Sequence, residues 1–388
     1  MLKNISLWIA VSALFSQTTF AQQSCAPQCK PSCPQPPLPT QVCETDPCCP
    51  AWETPILNAA YNYSARIDTR NPYNIFFDAS FVYWQPIQEN MELGIIDTFS
   101  ASDNLNGKVI DLGAKYKPGF KVGVGRYFDH DDWDWHGEYT WFHCTQHKTK
   151  EFSDVSFSAN TVIFPMWGSA TAARDLSSNV YTSGSENWRL MMDIGEADLG
   201  RRFYVGKNLI IRPNVGVRGA WIDQKVKITY VNPPTFILGV TDTNTITCKS
   251  KSWSAGLKSG VDADWKLGAG FRFYSSAEAD LLFTNYTQVS YRCIHQLPTE
   301  VQTANVVIKQ KKVYAIKPHI DLELGFGWGT YLDCNNWYLD FAAGYDFQVF
   351  FDQNMFRHFL DNTMTAKSRL PSGNLYLQGL TLTASATF

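Results

Sequence analysis

The sequence predicts an all-β protein, an antiparallel transmembrane β-barrel of the outer-membrane type with an even number of strands. Three observations predict it. Long segments alternate apolar and polar residues with a period of two, which gives each strand one face for lipid and one for water. Aromatic residues lie near the ends of the apolar faces, where barrels carry their aromatic girdles. Tight turns alternate with long polar connections, the usual loop pattern of such barrels.

Residues 1–21 are a predicted secretory signal peptide. Lys3 supplies a positive charge, an apolar stretch runs from Ile5 to Phe15, and Thr19, Phe20 and Ala21 precede the expected cleavage site. A buried N-terminal helix is the alternative interpretation. No apolar run of about 18 residues follows, so the sequence predicts no transmembrane helix.

Residues 22–73 are predicted to form a periplasmic tail rich in cysteine and proline. Six of the 10 cysteines fall in it: Cys25, Cys29, Cys33, Cys43, Cys48 and Cys49. Frequent proline prevents a helix or a regular strand, so we expect an extended segment that is stapled by disulfides or held by a partner. Cysteines in an exported chain indicate an oxidising compartment.

The barrel is predicted to occupy residues 74–388. The apolar faces of its first three strands run from Ile75 to Tyr83, from Phe120 to Val124 and from Trp133 to Trp141. The fourth strand, 187–204, starts with one apolar face and changes phase near Gly195, where a β-bulge would account for the change. That first face consists of Trp188, Leu190, Met192 and Ile194.

Six further strands bring the predicted minimum to ten. Their apolar faces run from Leu209 to Trp221, Trp253 to Trp265, Phe271 to Phe283, Ile316 to Trp328, Trp337 to Phe347 and Leu380 to Phe388. The two longest connections could each hide a hairpin, which would give twelve or fourteen strands. Pro213 and Pro318 each remove a backbone donor from a strand, and a local bulge could absorb each one.

The alternation of connections predicts the orientation of the barrel. Tight turns are expected at 129–132, 205–208, 267–270 and 332–336, and long polar connections near 86–110, 145–186, 231–249, 294–312 and 352–373. If the tail is periplasmic, ten strands place every tight turn and the C-terminus in the periplasm.

Two runs and the last residue resemble a known family. The runs Ile75–Gln85 (IFFDASFVYWQ) and Leu209–Gln224 (LIIRPNVGVRGAWIDQ), with the terminal Phe388, are similar to the Legionella-type major outer membrane protein family, also found in chlamydia-related bacteria. The resemblance implies a pore-forming barrel in the bacterial outer membrane, often linked by disulfides. A final strand with a terminal aromatic is also what the barrel-assembly machinery reads, so we expect that machinery and membrane lipid as partners.

Charged residues on the polar parity are the predicted pore lining. Basic residues cluster early and acidic ones late, which predicts two facing walls and a transverse field for polar solutes. The alternative is that the charges only pair into a plug of salt bridges. The predicted lining is Lys121, Arg202, Arg212, Arg218, Lys258, Asp262, Asp264, Glu278, Asp280, Asp321, Glu323, Asp340 and Asp346, with Arg272 and Lys266 also interrupting the acidic wall.

Other chemistries receive little support from the sequence. A net charge of −3 and a pI of about 6.2 give no reason to expect nucleic acid. His143, Cys144 and His147 are an incomplete zinc set, and we expect no metal and no cofactor. An enzyme is not predicted, because His319 beside Asp321 has no serine in a recognisable nucleophile motif.

The sequence therefore predicts a porin for small hydrophilic solutes and ions, and a structural or adhesive envelope protein with a closed lumen is the alternative. Cysteine positions add a prediction about cross-linking. Cys144, Cys248 and Cys293 are expected near the outer surface, while Cys334 joins the six tail cysteines on the periplasmic side. Both sets are odd in number, so each leaves a thiol without an internal partner, and we expect disulfide-linked multimers.

Overall fold

The computed structural model describes residues 63–70, 73–98, 107–152, 161–167, 181–232, 241–296, 304–359, 368–369 and 373–388. The predicted signal peptide and the six tail cysteines lie outside these residues. Across the described ranges, no helix has the length and apolarity to cross a membrane.

Ten antiparallel strands form a closed barrel, so the predicted fold class is confirmed at its minimum strand number. Each strand pairs with the next along the chain, and the last strand closes the barrel by pairing with the first, from Phe76 opposite Thr387 to Gln88 opposite Leu375. The strands are β1 (Ile75–Gln88), β2 (Lys117–Tyr127), β3 (Trp133–Glu151), β4 (Ser183–Arg201), β5 (Leu209–Asn232), β6 (Asp242–Gly268), β7 (Phe271–Gln296), β8 (Val313–Leu332), β9 (Trp337–Phe350) and β10 (Leu375–Thr387).

The predicted apolar faces point away from the lumen on nine of the ten strands. Leu257 is 71% exposed and Ile316 is 73% exposed, which is expected of side chains that face lipid in a barrel without its membrane. Trp253 and Trp265 are also exposed, at opposite ends of the apolar face of β6. On these strands the alternating apolar residues therefore form the outer surface of the barrel, which faces lipid.

Strand β4 is the exception, and the predicted bulge at Gly195 is wrong. Its register is continuous with both neighbours, so Gly195 lies opposite Tyr139 on one side and Gly219 on the other. One parity therefore points inward along the whole strand. It begins with the buried apolar residues Trp188, Leu190, Met192 and Ile194 and continues with Glu196 and Asp198. The inward face changes from apolar to acidic residues along the strand. In the sequence this looked like a change in which parity faces lipid.

The two prolines inside strands also require no bulge. Pro213 lies opposite Val261 and Pro318 opposite Leu281, in registers without interruption at either position. A register shift occurs instead between Lys251 and Ser252, where β6 meets β7. Both prolines point outward, as their parity predicted.

The connections divide the barrel into two ends. The short-turn end carries the turns between β2 and β3, β4 and β5, β6 and β7, and β8 and β9, and the last of these runs through Asp333, Cys334 and Asn335 with positive φ. Gly268, Ala269 and Gly270 also adopt positive φ in their turn, a conformation that glycine tolerates at no steric cost. The opposite end, with the long connections, is called the long-loop end.

The described parts of the long connections contain short strands outside the closed barrel, so the described residues form ten barrel strands rather than twelve or fourteen. Their bounds are Gly94–Thr98, Lys108–Ile110 and Thr161–Pro165, which pair with one another, and His358–Phe359, which pairs with Ser368–Arg369. Ala304–Gln310, also in a long connection, pairs with the long-loop end of β7. Phe203–Tyr204 lies in the short connection between β4 and β5 and pairs with the start of β5.

An apolar core fills the described lumen toward the long-loop end. Leu93 and Ile163, from the short strands' segments, are fully buried against barrel residues such as Trp188 and Ile228. Tyr230 donates a hydrogen bond from its hydroxyl to the backbone oxygen of Leu93 over 2.6 Å. This core, rather than lipid, is what the inward apolar face of β4 packs against.

Candidate functional site: a charged chamber in the lumen

A segment that precedes β1 crosses the short-turn end of the barrel; we call residues 63–70 the strap. The backbone N–H of Tyr204, before β5, donates to the oxygen of Tyr63 over 2.9 Å, and the N–H of Ala65 donates to the oxygen of Arg202 over 3.1 Å. At the other end of the strap, the N–H of Arg70 donates to the oxygen of Asn335 in the turn between β8 and β9 over 2.9 Å. The strap therefore spans the mouth between separate turns.

Between the strap and the apolar core lies a cavity of about 450 Å³, which we call the chamber. Ala65, Arg66 and Ile67 of the strap line it, together with inward side chains of the barrel. Eleven of the lining residues are acidic and seven are lysine or arginine. The acidic ones are Asp78, Asp134, Glu138, Glu196, Asp198, Asp262, Asp264, Glu278, Asp321, Glu323 and Asp340, and the basic ones are Arg66, Lys121, Arg202, Arg212, Lys258, Lys266 and Arg272.

Of the thirteen predicted lining residues, ten border the chamber. They are Lys121, Arg202, Arg212, Lys258, Asp262, Asp264, Glu278, Asp321, Glu323 and Asp340. The other three, Arg218, Asp280 and Asp346, are buried inside the barrel but do not border the chamber.

Arg212 of β5 binds carboxylates from three other strands. Its guanidinium lies 2.5 Å from Asp134 of β3, 2.5 Å from Asp198 of β4 and 3.0 Å from Asp262 of β6. Only 7% of the Arg212 side chain is exposed. Such close pairing offsets the cost of removing the charge from bulk water.

Arg218 and Lys258 share a second cluster. Arg218 lies 2.5 Å from Glu196 and 2.6 Å from Glu278, and it also binds Asp280. The amine of Lys258 lies 2.7 Å from the same Glu196 and 2.8 Å from the same Glu278. Two cations and the carboxylates around them therefore form one network across β4, β5, β6 and β7.

Two smaller clusters complete the pairing. Lys121 of β2 lies 3.4 Å from Asp346 and 3.7 Å from Glu138. Arg272 of β7 lies 2.9 Å from Asp264 and also binds Asp340. The predicted separation into a basic and an acidic wall is therefore wrong, because residues far apart in sequence meet across a narrow ten-stranded lumen.

Comparison with known proteins places the chain in a family. Residues 69–388 match the family described as Legionella pneumophila major outer membrane protein precursor. The chain belongs to this family. It is thereby a protein of the bacterial outer membrane, as the terminal strand and the lipid-facing girdles predicted. A comparison with curated proteins finds no match.

Several solved outer-membrane proteins show a distant structural similarity to this chain. The Escherichia coli outer membrane protease OmpT has a TM-score of 0.36 and 8% identity, over 83% of this chain and 98% of that one. A Pseudomonas aeruginosa FadL homologue has a TM-score of 0.27 and 8% identity, over 81% and 89%. The Pseudomonas putida toluene transporter TodX has the same score and identity, over 81% and 90%. These values carry no information about the activity of this chain.

Several members of this lumen escaped the sequence prediction. Glu196 and Asp198 were missed although they lie on the same parity as Arg202, which was predicted to face inward. Asp78 and His136 were also missed, although both lie on the inward parity; His136 Nε2 lies 2.9 Å from Asp78 Oδ1. Asp78, His136 and Glu138 offer ligand atoms within 4.8 Å of one another, so these residues could hold a metal ion.

The histidine and cysteine sets considered for other chemistry do not converge. His143 and His147 point outward from β3, whereas Cys144 between them is buried inside. His319 Nδ1 lies 2.6 Å from Asp280 rather than beside Asp321. Cys248 and Cys293, like Cys144, are buried in the long-loop half of the barrel and form no disulfide. Cys334 lies at the short-turn end and is not a free thiol.

Proposed function

We propose that the barrel is an outer-membrane porin for passive diffusion of small hydrophilic solutes and ions, without a catalytic step. The observation that carries the proposal is the 450 Å³ chamber lined by charged side chains inside a membrane-crossing barrel. Buried charged groups need partners or water, so a space of this size between them is stable only when water fills it.

The charge of the chamber predicts its preference among ions. Acidic lining residues outnumber basic ones, eleven to seven, and the basic ones are largely held in ion pairs. A water-filled space with surplus negative charge in low-dielectric walls concentrates cations. We therefore propose that the pore prefers small cations.

The chamber is restricted at both of its ends, so we propose a narrow pore. The strap crosses the short-turn end, and the apolar core occupies the described lumen on the other side. Conduction through the whole barrel therefore requires movement of the strap and of the segments that carry Leu93 and Ile163. Low conductance with brief openings is the behaviour that this arrangement supports.

Conductance of the refolded full chain in planar bilayers tests the porin proposal. We expect small, discrete, cation-selective steps. Lys258→Gln should increase the cation preference, because it removes a cation that borders the chamber, whereas Lys207→Gln in an exposed turn should leave it unchanged. A correctly folded barrel without any conductance would contradict the proposal.

The second candidate is a structural or adhesive envelope protein with a closed lumen. The fully buried apolar core at the long-loop end favours it, since that core blocks the described lumen. In that case the function would reside in the long connections, and the absence of conductance would be the deciding result.

Assembly of either kind of barrel is proposed to depend on β10. The N–H of Phe388 donates to the oxygen of Ile75 over 2.9 Å, and its ring packs on Trp337 at 4.9 Å between centroids. The final aromatic thus joins the two strands that close the barrel. We propose that the barrel-assembly machinery recognises this strand and that the short-turn end and the tail lie in the periplasm.

A further inference from the structure

An aromatic row marks the membrane boundary on the long-loop side of β5 and β6. Trp221 of β5 lies directly opposite Trp253 of β6, and both indoles point outward, 56% and 37% exposed. Tryptophan is concentrated where the hydrocarbon of a membrane meets its polar layer. We call this pair the outer tryptophan row.

Three basic residues form a second row farther toward the long loops. Lys225 follows Trp221 by four positions and lies directly opposite Lys249, which precedes Trp253 by four positions. On its other side, Lys225 lies directly opposite Arg189 of β4. All three are on the outward parity. We call Arg189, Lys225 and Lys249 the cationic row.

Residues directly opposite in an antiparallel pair are about 4.5–5.5 Å apart, so the row holds three cations on a short line. Like charges in this arrangement are destabilising unless an anion lies between them. Within the described ranges, none of the three has an ion-pair partner. The neighbouring carboxylate, Asp223, already binds Lys251 at 2.6 Å.

The height of the row matches the phosphate layer of a membrane. Four strand residues cover about 13 Å, and the usual strand tilt of about 35–45° reduces this to about 10 Å above the tryptophans. Lys227, exposed and two positions beyond Lys225, extends the positive surface farther from the membrane. Basic residues at this level attract anionic lipid headgroups.

We propose that the cationic row binds the phosphate groups of the glycolipid in the outer leaflet, with the tryptophan row against its acyl chains. This proposal uses the orientation given under Proposed function but not the pore. Tryptophan side chains alone would contact the acyl chains of any lipid. Three neighbouring cations favour a lipid whose headgroup carries phosphate.

The test measures equilibrium binding of purified bisphosphorylated lipid A to the folded, detergent-solubilised full chain. Each lysine at a charged membrane surface contributes about fivefold in affinity, so Lys225→Gln with Lys249→Gln should weaken binding about 30-fold. The matched control is Arg126→Gln with Lys207→Gln, two exposed charges at the short-turn end, which should change binding less than twofold. Binding should also weaken as salt is raised.

Three outcomes would overturn the proposal. Equal loss in both double variants, or no loss in either, would show that the row is not the site. Undiminished binding of dephosphorylated lipid A would show that phosphate is not recognised. Displacement of lipid A by millimolar inorganic phosphate would make free phosphate, not lipid, the ligand. Retained folding of each variant is read from its mobility on unheated gels, and the single variant Arg189→Gln replaces a double variant that does not fold.

Discussion

Arg212 shows what holds the charges of the lumen in place. Replacing it with serine removes the cation that pairs with Asp134, Asp198 and Asp262. We expect Arg212→Ser to lower the free energy of unfolding by about 3–5 kcal/mol, because a partly buried set of carboxylates loses its partner. The same variant should shift the reversal potential toward cations, since the chamber loses positive charge.

The matched variant for this prediction is Arg212→Lys, which keeps the charge but loses the forked geometry. It should keep the reversal potential of the parent while losing part of the stability in urea unfolding. If Arg212→Ser folded with unchanged selectivity, the chamber would not be the path of the ions.

At the same scale, the sequence predicted which residues face inward better than it predicted their partners. Parity assigns a face to Arg218 and Glu278, but only the closed barrel brings Glu196 between Arg218 and Lys258. Glu196, Arg218 and Lys258 lie far apart in sequence, so no local sequence pattern could predict that they form ion pairs. The predicted basic and acidic walls were wrong for this reason. Glu196 could have been identified from its parity, which it shares with the predicted lining residue Arg202.

Among the elements, the strap is the one whose removal should change access to the chamber. Arg66 donates to Asn74 Oδ1 over 2.7 Å and lies 3.4 Å from Asp129, so it fixes the strap beside the start of β1. Arg66→Ala should loosen the strap and raise the opening probability and protease cleavage at least about fivefold, because the loss of even one of its contacts costs about 1 kcal/mol.

Arg70→Ala is the control for the strap, because the contact of Arg70 with Asn335 is made by its backbone N–H and survives the substitution. Single-channel recording and limited proteolysis of both variants check the prediction. Equal behaviour of the two variants would leave the strap as a passive cover.

The strands and turns were predictable because lipid on one side imposes a period of two over long segments. The strap was not, since 63–70 has no such period and is held by contacts with remote turns. The prediction for strand β4 was wrong in part for a related reason. Its inward residues meet an apolar core made of inserted connections, so hydrophobicity alone no longer distinguished lipid from interior.

For the whole molecule, the first prediction concerns orientation. An epitope inserted at residue 268, in the turn between β6 and β7, should be labelled only after the outer membrane is permeabilised, because short turns face the periplasm. An epitope inserted at 237, in a long connection, should be labelled on intact cells. Labelling at 268 on intact cells would show that the barrel has the opposite orientation and would also contradict the proposed lipid site.

The second whole-molecule prediction is disulfide cross-linking between chains. The barrel shows at which end each of its own cysteines lies. Cys144, Cys248 and Cys293 form no disulfide and are buried in the long-loop half, whereas Cys334 lies in a turn at the opposite end. A disulfide needs Cα atoms within about 7 Å, and the apolar band between the ends is about 25 Å tall. The three buried thiols therefore cannot pair with Cys334 at the opposite end. Cys334 and the six tail cysteines form an odd set, which leaves at least one thiol for another chain whichever pairs form within it.

Because Cys334 is not a free thiol, the leftover thiol falls in the 25–49 segment, and we expect disulfide-linked multimers through the cysteines of that segment. Non-reducing electrophoresis of envelopes alkylated at lysis should show bands that collapse to monomer on reduction. Deleting residues 22–50 should remove most multimers. Replacing Cys144 with serine should remove none, because that thiol is enclosed in the barrel. A monomeric band in the parent chain, unchanged by the deletion, would show that the tail does not link the barrel to its neighbours.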